Sequence, residues 1–340
     1  MKRVILDMDP GIDDALAIIL AMLSPELRVE AITTVSGNVH VDLCTRNVRR
    51  ILEVLKPDKA PIIARGEENP LAAVEASLDA SVVHGRDGLG NLDRFTARDG
   101  AKLYPEPSLH HISSDNAVDV ILSTIARYPY EVTLIPTGPL TNIARAIIQD
   151  VEQMRSLKEI IIMGGAFNVP GNVTPVAEFN IFSDPHAADV VVNSGLPITF
   201  VGLDVSQQVI MQPQFIQREI VPLNTRLSEF ICHITRFYMD FHREHDGIVG
   251  CYLHDPLAVG VAIDPGIVET ENLYIQVETQ GEVTQGMTVA DLRPIRRRDG
   301  KPNASVCTHV DADKFLSLLR DTIKASEISS ETCRGFSEPD

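Results

Sequence analysis

The sequence predicts an α/β protein with a mostly parallel open sheet and helices on both faces of that sheet. Three observations support this fold class. Short, continuously apolar runs alternate with stretches whose apolar residues recur at the spacing of an amphipathic helix. Several of the apolar runs end in a turn that contains glycine. Strands that are apolar throughout are typical of a parallel sheet covered on both sides, since neither face of such a sheet meets water.

The predicted elements follow one another in order from the N-terminus. VILDM, residues 4–8, forms a buried first strand, and residues 13–23 form the first helix because their apolar side chains recur at helical spacing. Further strands are expected at residues 29–35, 60–66, 131–138, 159–165 and 198–204. Further helices are expected at residues 41–55, 139–150 and 184–195.

Two segments depart from this alternation. Residues 66–112 are rich in Gly, Asp, Pro and His, which predicts long loops. Residues 270–310 alternate apolar and polar positions around glycine turns, which predicts a small antiparallel β addition in the C-terminal part of the chain. No change of composition marks a linker. We therefore expect a single domain over residues 1–325, followed by a polar, frayed tail over residues 326–340.

The composition argues against several classes of protein. The formal charge of -17 disfavours nucleic acid or an anionic membrane as a partner. The five cysteines are scattered and form no CxxC pair, so reduced thiols in the cytoplasm fit better than a disulfide framework or a zinc ribbon. No apolar run reaches the roughly 18 residues that a membrane span requires. Asp7 and Asp9 interrupt the apolar start that a signal peptide would need.

The opening stretch DMDPGIDD places four aspartates, Asp7, Asp9, Asp13 and Asp14, within eight positions after the first predicted strand. Ligands of parallel sheets bind beyond the carboxyl ends of the strands, so polar residues after other strands should converge on these carboxylates. Those residues are Ser36, Gly37, Asn38, Thr137, Asn142, Met163 and Gly164, and we expect Met163 to contact a substrate. Clustered oxygen ligands favour Ca²⁺ or Mg²⁺ over softer metals, which predicts a site for a divalent cation.

A purely structural interpretation covers part of this stretch. Asp13 could cap a helix that begins at Asp14, and Pro10-Gly11 could form only a turn. That interpretation accounts for one or two aspartates. It gives no reason for Asp7 and Asp9 at the end of a buried strand, where unpaired carboxylates are costly to desolvate.

DMDPGIDDALAI resembles the DxDxGxDD signature of the nucleoside N-ribohydrolases, the inosine–uridine hydrolase family. Further stretches are similar to that family and occur in order between about residues 3 and 320. They are TTVSGN (33–38), HGRDGLG (84–90), PTGPLTN (136–142), MGGAF (163–167), GNVTPVAEFNIFSDPHAA (171–188), LHDP (253–256) and TQGMTVAD (284–291). The resemblance implies a Rossmann-like nucleoside hydrolase fold, a homodimer or homotetramer, and hydrolysis of ribonucleosides to ribose and a free base.

The resemblance also implies roles for individual residues. One Ca²⁺ per subunit would be bound by Asp9, Asp14, the backbone carbonyl of Thr137 and Asp255, and Asp9 would also accept a proton from the attacking water. His254 would be the acid near the leaving base, and His84 would lie on a mobile loop over that base. The ribose hydroxyls would be held by Asp13, Asn38, Asn172, Glu178, Asn180 and Asp255.

The residue types suit this chemistry. Cleavage of an N-glycosidic bond develops positive charge on the ribose ring, which nearby carboxylates stabilise. Glu178 and Asn180 would project to one face if AEFN is extended, although Asn180 could instead have a capping or turn role. A histidine such as His254 can supply a proton near physiological pH, although a histidine before Asp-Pro is often structural. His84 could equally be an exposed loop histidine.

Two other functions remain open at this stage. A Mg²⁺-dependent phosphohydrolase could use Asp7 or Asp9 as its nucleophile, but it would need a Lys or Arg near the phosphate, and none stands at the predicted strand ends. A non-catalytic protein could bind a nucleoside or ribose in the same pocket without turnover. The candidate residues for contact with the base are Tyr238, His242, His245 and Tyr252, whose orientation the sequence does not define.

Overall fold

A computed structural model describes residues 1–72, 80–108, 110–293 and 301–334, with side chains described to residue 325. The strands of the described residues are β1 Lys2–Met8, β2 Leu27–Thr34, β3 Ile62–Arg65, β4 Val132–Pro136, β5 Glu159–Met163, β6 Ile198–Val201, β7 Ile210–Met211, β8 Cys251–Tyr252, β9 Val268–Leu273, β10 Ile275–Val277, β11 Thr288–Ala290 and β12 Ala304–Val310.

Helices follow most of the strands. They are α1 Ile12–Leu23, α2 Val41–Leu55, α3 Ser81–His84, α4 Ala117–Arg127, α5 Thr141–Gln149, α6 Val151–Met154, α7 Phe179–Ser183, α8 Pro185–Val192, α9 Leu203–Ser206, α10 Pro213–Phe215, α11 Arg226–His245, α12 His254–Ile263 and α13 Ala312–Arg334. None of the described helices is long and apolar enough to cross a membrane.

Eight strands form one sheet in the order β3-β2-β1-β4-β5-β6-β12-β9. Every neighbouring pair is parallel except β12 and β9. The order runs outward in opposite directions from β1 and β4, so the loops that leave these two strands diverge and open a crevice at their carboxyl ends. Two small antiparallel pairs, β7-β8 and β10-β11, lie outside this sheet.

The sheet is buried on both faces, as its apolar strands require. In β1, Val4, Leu6 and Met8 pack into one hydrophobic cluster, and the intervening Ile5 packs into the other. The alternation follows from the two-residue period of a strand, which sends successive side chains to opposite faces. β1 is therefore a central strand, and the loop after it is held in place from both sides.

The predicted fold class is confirmed. Each predicted strand and helix overlaps an observed one, and the antiparallel addition is present as β9-β12 and β10-β11, although residues 294–300 lie outside the described part. The predicted loops at 66–112 contain the short helix α3, and residues 73–79 and 109 lie outside the described part. α13 extends past the predicted boundary at residue 325 and ends at Arg334, so the first part of the predicted tail is helical, and residues 335–340 lie outside the described part. The single-domain boundary stays a prediction.

Candidate active site

The crevice between β1 and β4 brings together the loop Asp9–Gly11 and the turn Thr137–Gly138. Asp9 is fully buried, and its Oδ2 accepts a hydrogen bond from the backbone N–H of Asn38 at 2.7 Å. A Cβ at Gly37 would lie 1.9 Å from Oδ2 of Asp9, and a Cβ at Gly138 would lie 2.7 Å from its Oδ1. Both glycines are therefore required for the Asp9 carboxylate to occupy this position.

Asp14 connects the first helix to the crevice. The helix begins at Ile12, and Oδ2 of Asp14 accepts hydrogen bonds from the N–H of Gly11 at 2.9 Å and from Nδ2 of Asn38 at 3.1 Å. Oδ1 of Asp14 accepts from Oγ1 of Thr137 at 2.8 Å. The helix-capping contact considered for Asp13 is thus made by Asp14, because the helix starts two residues earlier than that interpretation assumed.

Three carboxylates form a compact group that could hold a metal ion. One oxygen each from Asp13, Asp14 and Asp255 lies within 4.8 Å of the others, and all three side chains are buried. Desolvation raises the pKa of each carboxyl group and that of Asp9, and repulsion from neighbouring carboxylates adds to the increase for Asp9, Asp13 and Asp255. The pKa of Asp13 rises to about 7.

The donor chemistry of this group fits a hard divalent cation. Oδ1 of Asp9 and Oδ1 of Asp13 are buried without a hydrogen-bond partner among the described residues. A buried carboxylate oxygen without a donor is unfavourable unless a cation or a proton compensates it. The backbone carbonyl of Thr137 accepts one hydrogen bond, from Nδ2 of Asn180 at 2.8 Å, and so retains one lone pair.

Asp7 differs from Asp9, Asp13 and Asp14 because its hydrogen bonds link neighbouring elements of the fold. Its Oδ1 accepts hydrogen bonds from Oγ1 of Thr33 at 2.5 Å and from Nδ2 of Asn142 at 2.7 Å, so it ties β1 to β2 and α5. Burial raises its pKa from 3.8 to about 7. Asp7 does not line the pocket, which agrees with a supporting role behind the loop.

Glu178 and Asn180 line the same pocket as the acidic group, and Thr137 connects Asn180 to Asp14. Glu178 caps α7, with Oε1 accepting from the N–H of Asn180 and Oε2 accepting from the N–H groups of Ile181 and Gly165. The segment is therefore a helix start, and the expectation that AEFN is extended is wrong. The two side chains nevertheless both line the pocket. Burial raises the pKa of Glu178 against the effect of these donors.

Asn180 and Asn172 are also held in position by hydrogen bonds to the backbone. Nδ2 of Asn180 donates to the carbonyls of Thr137 and Met163, which joins the ends of β4 and β5. Oδ1 of Asn172 accepts from the N–H of Phe179 at 2.9 Å. Asn172 and Met163 line the pocket, as expected of substrate contacts.

His254 begins α12, directly before Asp255. Its Nδ1 forms a hydrogen bond with Oγ of Ser206 at 2.8 Å, and its ring lines the pocket. Burial, with repulsion from His242 and His84, lowers its pKa to about 3. The ring is therefore neutral at physiological pH in the free protein.

His84 is buried at the end of α3 and does not lie on an exposed loop. Its Nδ1 accepts a hydrogen bond from the N–H of Ile12 at 3.1 Å, and burial lowers its pKa to about 3. Asp87 fixes the following loop by accepting hydrogen bonds from the N–H groups of Leu89, Asn91 and Leu92.

Nine of the twelve residues predicted for the site line one pocket. They are Asp13, His84, Thr137, Met163, Asn172, Glu178, Asn180, His254 and Asp255. The other three, Asp9, Asp14 and Asn38, do not line the pocket, and Asn38 links the two aspartates by donating a hydrogen bond to each. No Lys or Arg is found among the described residues that line this pocket.

Sequence reasoning left most of the outer wall of the pocket undefined. Tyr238 and His242 from α11 were candidates without an orientation, and both line the pocket together with Tyr252. Oη of Tyr238 donates to Oδ2 of Asp13 at 3.2 Å. Gln207, Phe241 and Asp246 were not anticipated. The apolar spacing of residues 226–245 could have predicted the helix and, through its phase, the inward face.

Comparisons with known proteins identify the family of this chain. Residues 4–317 match the family described as inosine-uridine preferring nucleoside hydrolase. A pyrimidine-specific ribonucleoside hydrolase RihA from Salmonella schwarzengrund is 39% identical over 322 residues, which cover 94% of this chain and 98% of the relative. An inosine-uridine preferring nucleoside hydrolase from Leishmania major is 37% identical over 325 residues, covering 95% of this chain and 98% of the relative.

Solved structures show the same similarity in three dimensions. A purine-preferring ribonucleoside hydrolase from Gardnerella vaginalis superposes with a TM-score of 0.87 at 33% identity, covering 96% of this chain and 99% of that chain. A plant nucleoside hydrolase superposes with a TM-score of 0.85 at 34% identity, covering 95% of this chain and 99% of that chain. The similar proteins differ in their named base preference, so that preference is not carried over.

Proposed function

Because this chain belongs to the inosine-uridine preferring nucleoside hydrolase family, we propose that its pocket hydrolyses the N-glycosidic bond of ribonucleosides to ribose and a free base. The observation that carries the proposal is the pairing of two features in one pocket. Asp13 and Asp255 of the buried acidic group line the same pocket as a set of hydrogen-bonding side chains, Oδ1 of Asp13 is unpaired, and no Lys or Arg lines the pocket among the described residues. A neutral nucleoside suits this pocket better than a phosphorylated substrate.

We further propose that one Ca²⁺ is held by Asp9, Asp14, the Thr137 carbonyl and Asp255. The support is the all-oxygen donor set, two buried unpaired oxygens on Asp9 and Asp13, and the repulsion among four carboxylates that a cation would relieve. When bound, the cation would lower the pKa of a coordinated water and so supply a nucleophile at neutral pH. Asp13 lies close enough to the other carboxylates to be a metal ligand as well. We propose that it binds a ribose hydroxyl instead.

Asp9 suits the role of proton acceptor. Its Oδ2 is occupied by the N–H of Asn38, but its Oδ1 is free to take the proton of the attacking water. The carboxylate is oriented by the close approach of Gly37 and Gly138, so it does not have to reorganise during the reaction. Asn38 also bonds the backbone carbonyl of Asp9, which holds the loop from a second side.

The ribose would lie between the two walls of the pocket. Hydroxyl groups donate hydrogen bonds, and Asp13, Glu178 and Asp255 supply acceptors, while Asn172 and Asn180 can both donate and accept. As the bond to the base breaks, positive charge develops on the ribose ring, and the buried carboxylates stabilise it. The pair of electrons in that bond remains on the base nitrogen.

His254 is proposed as the group that assists the leaving base. A departing base is a better leaving group when protonated, and the His254 ring lines the pocket beside Asp255. Because the ring is neutral in the free protein, it must take up a proton when the substrate binds before it can act as an acid. His84 would bound the base from the other side, held by the N–H of Ile12.

The direct test is release of reducing sugar from inosine and uridine, measured with and without a chelator. We expect sugar release that the chelator stops and added Ca²⁺ restores. Phosphate release from a generic phosphate ester without sugar release would favour the phosphohydrolase instead. Tight nucleoside binding without turnover would favour a binding protein.

The proposal also covers the oligomeric state and the cellular compartment. We expect a homodimer or homotetramer, which light scattering of the purified protein would test. We also expect a reducing, cytoplasmic compartment, since the four cysteines whose side chains are described carry free thiols.

A further inference from the structure

Five rings form a continuous arc along the outer wall of the pocket. Successive ring centroids are 5.4 Å apart for His84 and Tyr238, 4.3 Å for Tyr238 and His242, 5.0 Å for His242 and Tyr252, and 5.3 Å for Tyr252 and His254. All five side chains line the pocket. The proposed roles of His84 and His254 leave the central imidazole, His242, without a function.

The hydrogen bonds of His242 determine which of its nitrogens carries a proton. Its Nδ1 lies 2.8 Å from the backbone carbonyl of Tyr238, and a carbonyl oxygen can only accept. Nδ1 must therefore be the donor. In the neutral ring Nε2 is then a pure acceptor, and in the charged ring Nε2 becomes a donor. One proton thus reverses the hydrogen-bonding character of Nε2, because the tautomer is fixed.

Asp246 is the feature that distinguishes His242 from the other two imidazoles. Its Oδ2 lies 3.9 Å from Nε2 of His242, which favours the charged ring without forming a direct hydrogen bond. Asp246 lies at the end of α11 and also lines the pocket. His84 is held as an acceptor by the N–H of Ile12, and its nearest carboxylate, Asp13, belongs to the acidic group.

The other ionisable groups around His242 oppose or modify this effect. Burial lowers its pKa, His245 on the same helix lowers it further, and Asp246 and the Tyr238 carbonyl raise it. From other elements, the His84 and His254 rings face His242, and a charge on His242 lowers the pKa of each of them. Those two rings stay neutral between about pH 5 and pH 8, because their own pKa values are about 3.

We propose that His242, tuned by Asp246, recognises the edge of the nucleobase through Nε2 and makes base preference depend on pH. The inference rests on the proposed nucleoside hydrolysis and names a specificity residue for it. With its ring charged, His242 offers a donor and favours bases with a keto oxygen at the contacted edge, such as uracil and hypoxanthine. With its ring neutral, it offers an acceptor and favours bases with an amino group there, such as cytosine and adenine. Asp246 is a positioning residue that acts through His242.

The experiment follows the ratio of kcat/KM for uridine over cytidine, and for inosine over adenosine, between about pH 5 and pH 8. Ionisations that affect all nucleosides cancel in such a ratio. For the wild-type protein we expect the ratio of keto to amino substrates to fall about tenfold across this range, the effect of one mismatched buried hydrogen bond. Asp246→Asn should move the midpoint of that fall to lower pH by roughly half a unit, since it removes the charge that favours protonated His242.

Asp240→Asn is the matched control. Asp240 lies on the same helix, pairs with Arg243 at 2.8 Å and is absent from the groups that shift the His242 pKa, yet its substitution changes net charge equally. We expect the wild-type midpoint in this variant. His242→Gln, in which the side chain cannot titrate, should give a ratio that does not change with pH.

Each outcome decides the matter. A flat ratio in the wild-type protein, or a ratio that still changes with pH in His242→Gln, would overturn the role of His242 while leaving nucleoside hydrolysis intact. Equal midpoints in wild type and Asp246→Asn would overturn the tuning by Asp246. Equal shifts in Asp246→Asn and Asp240→Asn would overturn it too, since they would reflect net charge alone. Failure of the proposed function itself would look different, because no nucleoside would then yield reducing sugar.

Discussion

Asp9 combines burial with one paired and one unpaired carboxylate oxygen. Substitution of Asp9 by Ala should reduce kcat by about 10³-fold or more, because the side chain is both a proposed metal ligand and the proton acceptor. In metal-free protein the same change should leave the melting temperature equal or raise it, since it removes one of four mutually repelling carboxylates. Steady-state kinetics and thermal unfolding in chelator measure the two effects. Activity near the wild-type level would refute the assignment.

Asp7 gives a prediction about pH in the metal-free protein. Its pKa is raised from 3.8 to about 7 by burial, so the folded state keeps a proton that the unfolded state releases. Wild-type stability from this group therefore falls as pH rises from about 4 to about 7. Asp7→Asn keeps the acceptor for Thr33 and Asn142 but cannot ionise. The free energy of unfolding of Asp7→Asn minus that of wild type should therefore increase by up to about 4 kcal/mol between pH 4 and pH 7, as measured by urea titration.

The outcome for Asp7 would separate two explanations of its burial. If the difference in free energy of unfolding between wild type and Asp7→Asn does not change with pH, the Asp7 carboxyl group has the same pKa in the folded and unfolded states. That result would contradict the prediction. Thr33→Val provides a comparison, because it removes one donor to Asp7 without changing the carboxyl group. It should raise the pKa of Asp7 further.

At the scale of elements, the loop after α3 is held by a buried ionic network. Arg50 in α2 is almost fully buried, with Asp87 3.9 Å and Asp93 3.6 Å away. Substitution of Asp87 by Ala should lower the free energy of unfolding by about 3 kcal/mol, because three backbone N–H groups lose their acceptor and the Arg50 guanidinium loses its buried partner.

Asp93→Ala is the control for that change. Asp93 is about half exposed and lies at a similar distance from Arg50, so its loss should cost less than about 1 kcal/mol. Urea denaturation of both variants gives the comparison. Similar losses in the two variants would mean that charge near Arg50, and not the loop hydrogen bonds of Asp87, provides the stability.

The elements also show how far sequence could predict the site. The structure places Asp9, Thr137 and Met163 after or at the ends of strands near the crevice, as predicted, because an apolar run followed by polar residues marks a strand end in a parallel sheet. Residues on α11 could be named but not oriented. The facing of Tyr238 and His242 depends on where a helix begins and how it crosses the sheet, and that is a property of tertiary packing. AEFN was misassigned as extended because the capping bonds of Glu178 come partly from Gly165, thirteen residues away.

At the scale of the whole molecule, metal binding should be visible as stability. An ion that binds only the folded state stabilises it by about 2.7 kcal/mol at a hundredfold excess over its Kd. The melting temperature of chelator-treated protein should therefore rise with added Ca²⁺, and less with Mg²⁺, which dehydrates reluctantly and demands a stricter geometry. The Asp9→Ala variant should show little response. A wild-type melting temperature insensitive to both ions would contradict the proposed site.

Asp9 and Asp255 both lie at the crevice, yet they are separated by most of the chain. During synthesis the N-terminal strands leave the ribosome long before α12 exists. A nascent chain would thus carry its acidic loop without Asp255, which we propose as a metal ligand, and its affinity for the proposed ion would appear only late in translation. If the proposed site is correct, chain completion and ion binding are coupled, and a polypeptide interrupted before α12 would bind the ion weakly and would not cleave a nucleoside.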